Sequence, residues 1–448
     1  MDALPDASLR VQLRSSLASI PAEEWDGIDA RLGAGGHPFA SHAFLSGLET
    51  HGCLRADWGW TPLHLCLYSG ETLVAAAPGY LKTNSHGEFV FDHAWANAYA
   101  RYGLDYYPKW LCAVPYSPVT GPRLLARDAA SRRALIAAMA QLADGRALSS
   151  VHVNFHDRED EAAFLADAAD SAGCDSDGDG DGDGEDIEGD DDAGRSGAGA
   201  WLLRTDVQYH WRNPGDWRCF DDFLAAMDHK HRKNIRQERN KVARAGVGFR
   251  VVHGDEASGD DLAAMHAFYL QTFAEYGNSP ALTLDFFRHL AAAMPRQLVL
   301  VLAELQGERI AGALCLRGGD TLYGRYWGAT RTLPGLHFET CYYQGIDYCL
   351  REGLSRFEPG AQGEHKIARG FLPTEVRSRH RIADPQFAVA LARWCAEERS
   401  AVARYAREIG RHSPFRDSAL RSDPAADRWE GSAFGDTAAG QAAAEADA

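Results

Sequence analysis

Two groups of side chains in this sequence have the types and spacing needed for acid–base and anion chemistry. Glu364, His365 and Lys366 are consecutive in a Gly-rich stretch, with Arg369 just beyond, so one loop holds a carboxylate, an imidazole and two cations. Glu339 lies near the start of a segment with helical spacing, where it serves either as a proton acceptor or as a first-turn carboxylate stabilised by the helix dipole. Nearer the N-terminus, Glu88 and Asp92 bracket Phe89, Val90 and Phe91. Asp92 also reads as the N-cap of a helix beginning near Ala94. Lys109 and Arg123 stand beside Pro-containing turns, placed either for an acidic ligand or for surface pairing. The segment from Lys230 to Arg244 contains seven Lys or Arg and two apolar residues, Ile235 and Val242, seven apart. That spacing predicts a basic helix with one buried stripe, and Arg232, Arg236 and Arg239 share a side suited to phosphates or left to solvent.

These residues need elements to position them. Residues 63–68 and 71–77 flank Ser69-Gly70, a hairpin signal, and residues 297–305 and 309–317 flank a second turn at Gln306-Gly307-Glu308. A third strand at 321–328 completes a meander, and the apolar spacing over 337–352 predicts a helix closed by Gly353. A short strand, 355–361, follows. His152 and His156 fall in an alternating strand pattern and read as core or hydrogen-bonded histidines.

Length, charge and cysteines set the outer bounds. A chain of 448 residues holds two or more domains. Residues 170–192 carry twelve of its Asp and Glu and no Lys or Arg, so the net charge of −17 falls to −5 for the remainder, and anionic partners stay open. The expected layout is a block over 8–165, an acidic disordered linker over 166–199, a second block over 200–415 and a disordered tail over 416–448. Asp177 to Glu188 fits the EF-hand spacing, but it lacks flanking apolar helices and an aliphatic residue at position eight, so no metal site is expected. Nine scattered cysteines without a C-x-x-C pair, no basic-then-apolar leader and no long apolar run point to a cytoplasmic protein without a membrane span. The basic helix lacks interleaved aromatics, which argues against sequence-specific nucleic-acid reading.

Several segments carry a family resemblance when taken in order: residues 80–96, 106–110, 114–123, 230–239, 322–328, 336–344 and 357–371. Together they are similar to the FemAB-like branch of the GNAT superfamily, predicted N-acyltransferases. The resemblance implies an α/β fold of mixed sheets in two tandem GNAT-like domains. It also implies an enzyme that passes an acyl or aminoacyl group from acyl-CoA, acyl carrier protein or aminoacyl-tRNA to an amine, with no tightly bound cofactor. Amine attack on an ester or thioester needs a base, an oxyanion donor and a proton for the leaving group, but no nucleophilic side chain. Glu339, His365 and Asp92 are the candidates for proton handling. Glu88, Lys109, Arg123, Arg232, Arg236, Arg325, Lys366 and Arg369 are the candidates for substrate binding. Donor phosphates are expected at the start of the 337–352 helix, around Arg331, Gly335 and His337, although Arg331-Thr-Leu-Pro-Gly335 is not a clear CoA-binding loop. Asp92, Lys109, Arg325, Glu339 and Lys366 are expected to line one cleft between the blocks. The rival reading is a non-catalytic protein of this fold that holds an anionic polymer or RNA on the basic helix.

Overall fold

The structure is a computed structural model describing residues 9–33, 35–145, 148–173, 199–361, 363–417 and 420. Most of the expected acidic linker, its calcium-loop pattern and nearly all of the expected tail lie outside the described residues. The first eight linker positions, 166–173, are described and belong to a helix.

The first half runs β1 (Leu9–Arg14), α1 (Ala22–Asp26), α2 (His42–Thr50), β2 (Trp60–Pro62), β3 (His64–Ser69), β4 (Thr72–Ala77), β5 (Gly79–Lys82), α3 (His93–Arg101), β6 (Lys109–Cys112), β7 (Leu125–Ala126), α4 (Ala129–Gly145), β8 (Ser150–Asn154) and α5 (Arg158–Gly173). The second half runs β9 (Leu202–Arg212), α6 (Phe220–Ala226), α7 (His229–Arg244), β10 (Gly248–His253), α8 (Gly259–Glu275), α9 (Leu284–Ala293), β11 (Leu298–Leu305), β12 (Glu308–Gly318) and β13 (Thr321–Ala329). A single α-turn, α10 (Leu336–Phe338), then widens into a π-helical turn (Glu339–Tyr343) and continues as α11 (Gln344–Glu352), followed by β14 (Arg356–Glu358), β15 (Leu372–Ile382) and α12 (Pro385–Gly410). The helix widens just where the Thr340 hydroxyl donates back to the Leu336 carbonyl at 2.8 Å, competing with the regular ladder.

Each half repeats one plan. A strand and two helices lead into a three-stranded antiparallel meander, then a helix and a further strand: β1, α1, α2, β3-β4-β7, α4, β8 in the first half and β10, α8, α9, β11-β12-β13, α10–α11, β14 in the second. These are two tandem GNAT-like domains of mixed α/β structure. Both hairpin turns form where expected, and Gln306 and Gly307 take the positive φ that a two-residue turn demands.

The halves differ in an insert between β4 and β7, which carries β5, α3 and β6. The chain changes sheet at Pro78, since β4 belongs to the sheet β1-β3-β4-β7 whereas β5 joins an eleven-stranded sheet. Gly79 permits that crossing, because a Cβ there would lie 2.1 Å from the Trp110 ring and 2.6 Å from the Leu63 carbonyl oxygen. The large sheet crosses between the halves through β8 and β15, in antiparallel register with His152 opposite His380. The two blocks therefore share one sheet and an apolar core in which Phe39, Phe44 and Leu48 pack with Phe286, Leu290 and Leu316.

The feature that positions the site is a short parallel pair. β13 and β14 pair only through Thr321, Leu322 and Tyr323 opposite Arg356, Phe357 and Glu358. Beyond that point Pro359 has no N–H to donate, and Gly360 turns away with φ +102°. On the other side of β13, the register with β12 skips Arg325, leaving it as a bulge residue. The hydrogen-bonded ladder therefore ends at Glu358, and this end of the pair, a closed V, stays packed: a Cβ on Gly324 would lie 3.3 Å from the Pro359 Cα, and one on Gly360 3.9 Å from the Gly324 carbonyl oxygen.

Gly318, at the end of β12, is a close contact between the halves. A Cβ there would meet the Gly36 carbonyl oxygen at 2.3 Å and Pro38 Cδ at 2.4 Å. Gly318→Ala should destabilise the whole protein by about 1–3 kcal/mol through overpacking, with one cooperative transition in urea. Two separate transitions, with only the first half shifted, would show that the halves fold independently.

Candidate active site

Glu358 is the least expected residue of this site. It is 4% exposed, and its Oε2 has no hydrogen-bond partner among the described residues. Burial pushes its carboxyl up to about 7, with the guanidinium groups of Arg356, Arg325 and Arg212 offsetting only part of that cost. His210 Nδ1 lies 3.9 Å from its Oε1, and the other ring nitrogen of His210 meets Gln208 Oε1 at 3.2 Å. On the same side of the V, Lys366 is 3% exposed and donates to the Gly360 carbonyl at 2.7 Å. Burial drives its ammonium down to about 7. Arg325 completes the group, its Nε unpartnered in the interior.

The first half roofs this site with residues 114–123. Arg325 Nη2 and the Tyr326 hydroxyl both donate to the Tyr116 carbonyl, at 2.9 and 3.0 Å, and Gln208 donates to the Pro118 carbonyl at 2.8 Å. Tyr323 packs edge-on against His37 and Phe39. A base with a near-neutral pKa, a cation at the bulge and a second titratable group thus lie in a seam assembled from both halves.

The other candidates fall into separate groups. Glu88, Asp92 and Lys109 form a buried cluster within the insert, where Lys109 Nζ donates to Glu88 Oε2 at 2.7 Å and to Asp92 Oδ2. Asp92 occupies the N-cap position of α3 without capping it, and accepts instead from Lys109 and from the Tyr106 hydroxyl at 2.6 Å. Burial raises the Glu88 carboxyl to about 7; for Asp92 burial acts in the same direction, but the Lys109 charge together with hydrogen bonds from Lys109, Ser85 and Tyr106 outweighs it and holds the carboxyl below the usual range. Lys82 lies 3.8 Å from Glu88 and over the Trp60 ring. Among the described residues no hydrogen bond or ion pair joins this cluster to Arg325, Glu339 or Lys366, so the five residues expected to line one cleft are not brought together.

Arg123 is fully buried and donates to the carbonyls of Asn154, Pro122 and Val119, so it is a structural residue of the first half. Glu339 is held by Arg239 through Nε and Nη2 at 3.0–3.2 Å and by Gln344 at 2.8 Å. Arg239 also reaches Asp347, and so turns inward from the basic helix. His365 shares a hydrogen bond with the Tyr342 hydroxyl at 2.9 Å, and Glu364 turns away to Tyr405. Arg369 lies over the Phe338 ring and binds Glu238 at 2.7 Å.

The expected donor seat is covered. A Cβ on Gly335 would touch the Glu238 carbonyl oxygen at 3.3 Å and Val242 at 3.4 Å, both on α7. Arg331 pairs with Glu308 at 2.6 Å on the surface, and His337 stacks among Trp327, Phe338 and Tyr342. On the outer side of α7, Arg232 lines an open depression of about 410 Å³, while Arg236 there reaches Asp221 at 3.1 Å. Among the described residues no group of His, Cys, Asp and Glu is arranged to hold a metal, and no helix is long and apolar enough to cross a membrane.

The sequence matches the FemAB-like family, described as peptidoglycan biosynthesis/recognition, over residues 16–176 and 187–417. The chain belongs to that family. Among solved structures, FemX is similar at 11% identity and TM-score 0.45, covering 83% of this chain and 98% of its own. A tandem GNAT protein from the clavulanic acid biosynthesis pathway is similar at 11% identity and TM-score 0.38, covering 84% and 99%. The C-terminal domain of a putative lysylphosphatidylglycerol synthetase from Agrobacterium fabrum is similar at 11% identity and TM-score 0.43, covering 84% and 95%. No curated protein matches the chain.

Of the residues that sequence reasoning missed, Glu358 carried a signal. It is the acid of the short strand Arg356-Phe357-Glu358, directly before Pro-Gly. The Arg239–Glu339 pair carried none, because its partners lie 100 residues apart. Replacing Arg239 with Met would leave Glu339 buried without its cation and should cost about 2–4 kcal/mol in urea unfolding. Adding Glu339→Met should restore most of that loss. An Arg239→Met protein as stable as the parent would remove this pair from the account.

Proposed function

We propose that this FemAB-like protein transfers an acyl or aminoacyl group to an amine in the V between β13 and β14, with Glu358 as the proton acceptor. The observation that carries this reading is the buried Glu358 carboxylate, raised to about 7 and with one oxygen unpartnered among the described residues, where the β13–β14 ladder ends. A base poised near the working pH combines proton affinity with availability.

The amine lone pair attacks the carbonyl carbon of the donor ester or thioester, and a C–N bond forms. Glu358 takes the proton that the attacking nitrogen sheds. Arg325, at the bulge, faces the negative charge that gathers on the carbonyl oxygen. The C–O or C–S bond then breaks, and the proton held on Glu358 is available to the departing group. Lys366, with its ammonium lowered to about 7, is a second group able to exchange a proton in the same range.

The packing of α7 against Gly335 favours a donor whose carrier is something other than CoA, since a pyrophosphate laid on the start of this helix would meet Glu238 and Val242. The open cationic depression on α7 favours a second reading, in which the chain holds an anionic polymer without turning it over.

Glu358→Gln separates the two readings. Under the transfer reading the substitution lowers kcat by about 10²–10⁴-fold and leaves polyanion binding unchanged. The parent rate should rise through pH 7 as Glu358 loses its proton, and that limb should vanish in the variant. The same substitution should raise Tm at pH 8 and leave it nearly unchanged at pH 4. A carboxyl whose folded pKa exceeds its unfolded value costs stability as pH rises above the unfolded value, and Gln removes that cost. A fully active Glu358→Gln protein would exclude Glu358 as the base.

A further inference from the structure

β9 carries two buried polar side chains, Gln208 and His210, two residues apart on one strand and so directed to the same side of the sheet. The ladder between β9 and β14 pairs Arg356 with Arg212 and Phe357 with Trp211. Continued by one residue, that register sets His210 across from Glu358. On its other side Glu358 has Tyr323 of β13 as its register partner.

Hydrogen-bonding capacity fixes the direction of every bond in the chain that runs from the first half to this pair. The Pro118 carbonyl can only accept, so the group that meets it at 2.8 Å is the Gln208 amide nitrogen. That orientation turns Gln208 Oε1, which also only accepts, toward His210 Nε2 at 3.2 Å. Nε2 must therefore carry the hydrogen. His210 is neutral, because burial, together with the charges of Arg356, Arg212 and Lys366, holds it well below the usual histidine range. A neutral imidazole with its hydrogen on Nε2 has a bare Nδ1, and this nitrogen lies 3.9 Å from Glu358 Oε1. A lone pair turned toward a carboxyl disfavours the ionised form and favours the acid. At this separation the effect is electrostatic, since a hydrogen bond needs a closer approach. Asp320 acts on Glu358 in the same direction, whereas Arg356, Arg325 and Arg212 act against it.

We propose that Gln208 and His210 are positioning residues for Glu358, with the Pro118 carbonyl as the anchor that decides which His210 nitrogen faces the carboxyl. The first half then does more than cover the seam, because its backbone sets the proton affinity of a group on the second half. These roles rest on Glu358 as the proton acceptor, whereas the His210 tautomer does not depend on it.

Nitrogen-15 NMR of protein labelled in its histidine rings reads the tautomer, with His210 assigned in the parent by through-bond correlation to its own backbone. Above neutral pH, Nδ1 should give the resonance of a bare nitrogen and Nε2 that of an N–H. Gln208→Met removes the acceptor from Nε2 and frees the hydrogen to move to Nδ1, where it can donate to the Glu358 carboxylate. The Glu358 midpoint, read from its carboxyl carbon, should then fall by about one pH unit, the worth of a hydrogen bond to a charged group. The backbone amide spectrum of the variant checks that its fold is retained. A protonated Nδ1 in the parent overturns the proposal without any variant, and so does a folded Gln208→Met protein whose Glu358 midpoint has not moved. A parent Glu358 midpoint in the ordinary glutamate range, with Nδ1 bare, would instead sink the base reading and leave the chain from Pro118 to His210 in place.

Discussion

A parallel pair of strands normally continues until one of them runs out of backbone donors, and in this protein that happens after three residues. Pro359 removes the next N–H of β14, and the bulge at Arg325 takes β13 out of register with β12 at the same level. The end of the ladder would leave unpaired backbone and two charged side chains in an apolar interior. The structure answers with Lys366 bound to the Gly360 carbonyl and with the 114–123 segment, whose carbonyls accept from Arg325, Tyr326 and Gln208. The polar seam between the halves follows from this break.

The two halves share a plan, but they have diverged in what fills the equivalent space. In the first half Arg123 and His37 close it, bonded to backbone carbonyls, and Asp160 accepts the Arg123 and Leu124 amides. Among the described residues both spaces keep unpartnered polar atoms, on His37, Thr120 and Asn154 in the first half and on Glu358 and Arg325 in the second, but only the second keeps a carboxyl raised to about 7. The first half acts as a roof, delivered by an insert whose strands join the sheet of the other half. The buried Lys109, Glu88 and Asp92 cluster, and the His152–His380 contact opposite it, tie that insert to the shared sheet.

Local signals made much of the fold legible. Ser69-Gly70 and Gln306-Gly307 mark their hairpins because few residues tolerate the backbone those turns require. The basic helix and the helix before Gly353 were equally readable from spacing, since their buried residues recur at helical intervals. What escaped is long-range. Nothing near Glu358 shows that His210 and Arg325 converge on it, or that Tyr116 caps Arg325, and nothing in β8 shows that it pairs with β15. The grouping of Asp92 and Lys109 with Glu339 and Lys366 went astray for the same reason: each is a buried charge, but each has found its own nearby counter-charge or carbonyl. The π turn is also invisible to apolar periodicity, because it depends on one hydroxyl competing for a carbonyl.

The central claim is that the V holds a carboxyl whose proton is exchangeable near neutrality. Carbon-13 NMR of protein labelled at its glutamate carboxyl carbons measures this directly, with the Glu358 resonance assigned by its loss in Glu358→Gln. The account predicts a midpoint near 7 for that resonance. A midpoint in the ordinary glutamate range, about 4, would mean that Glu358 is solvated or fully paired and that the V is not the site of proton transfer.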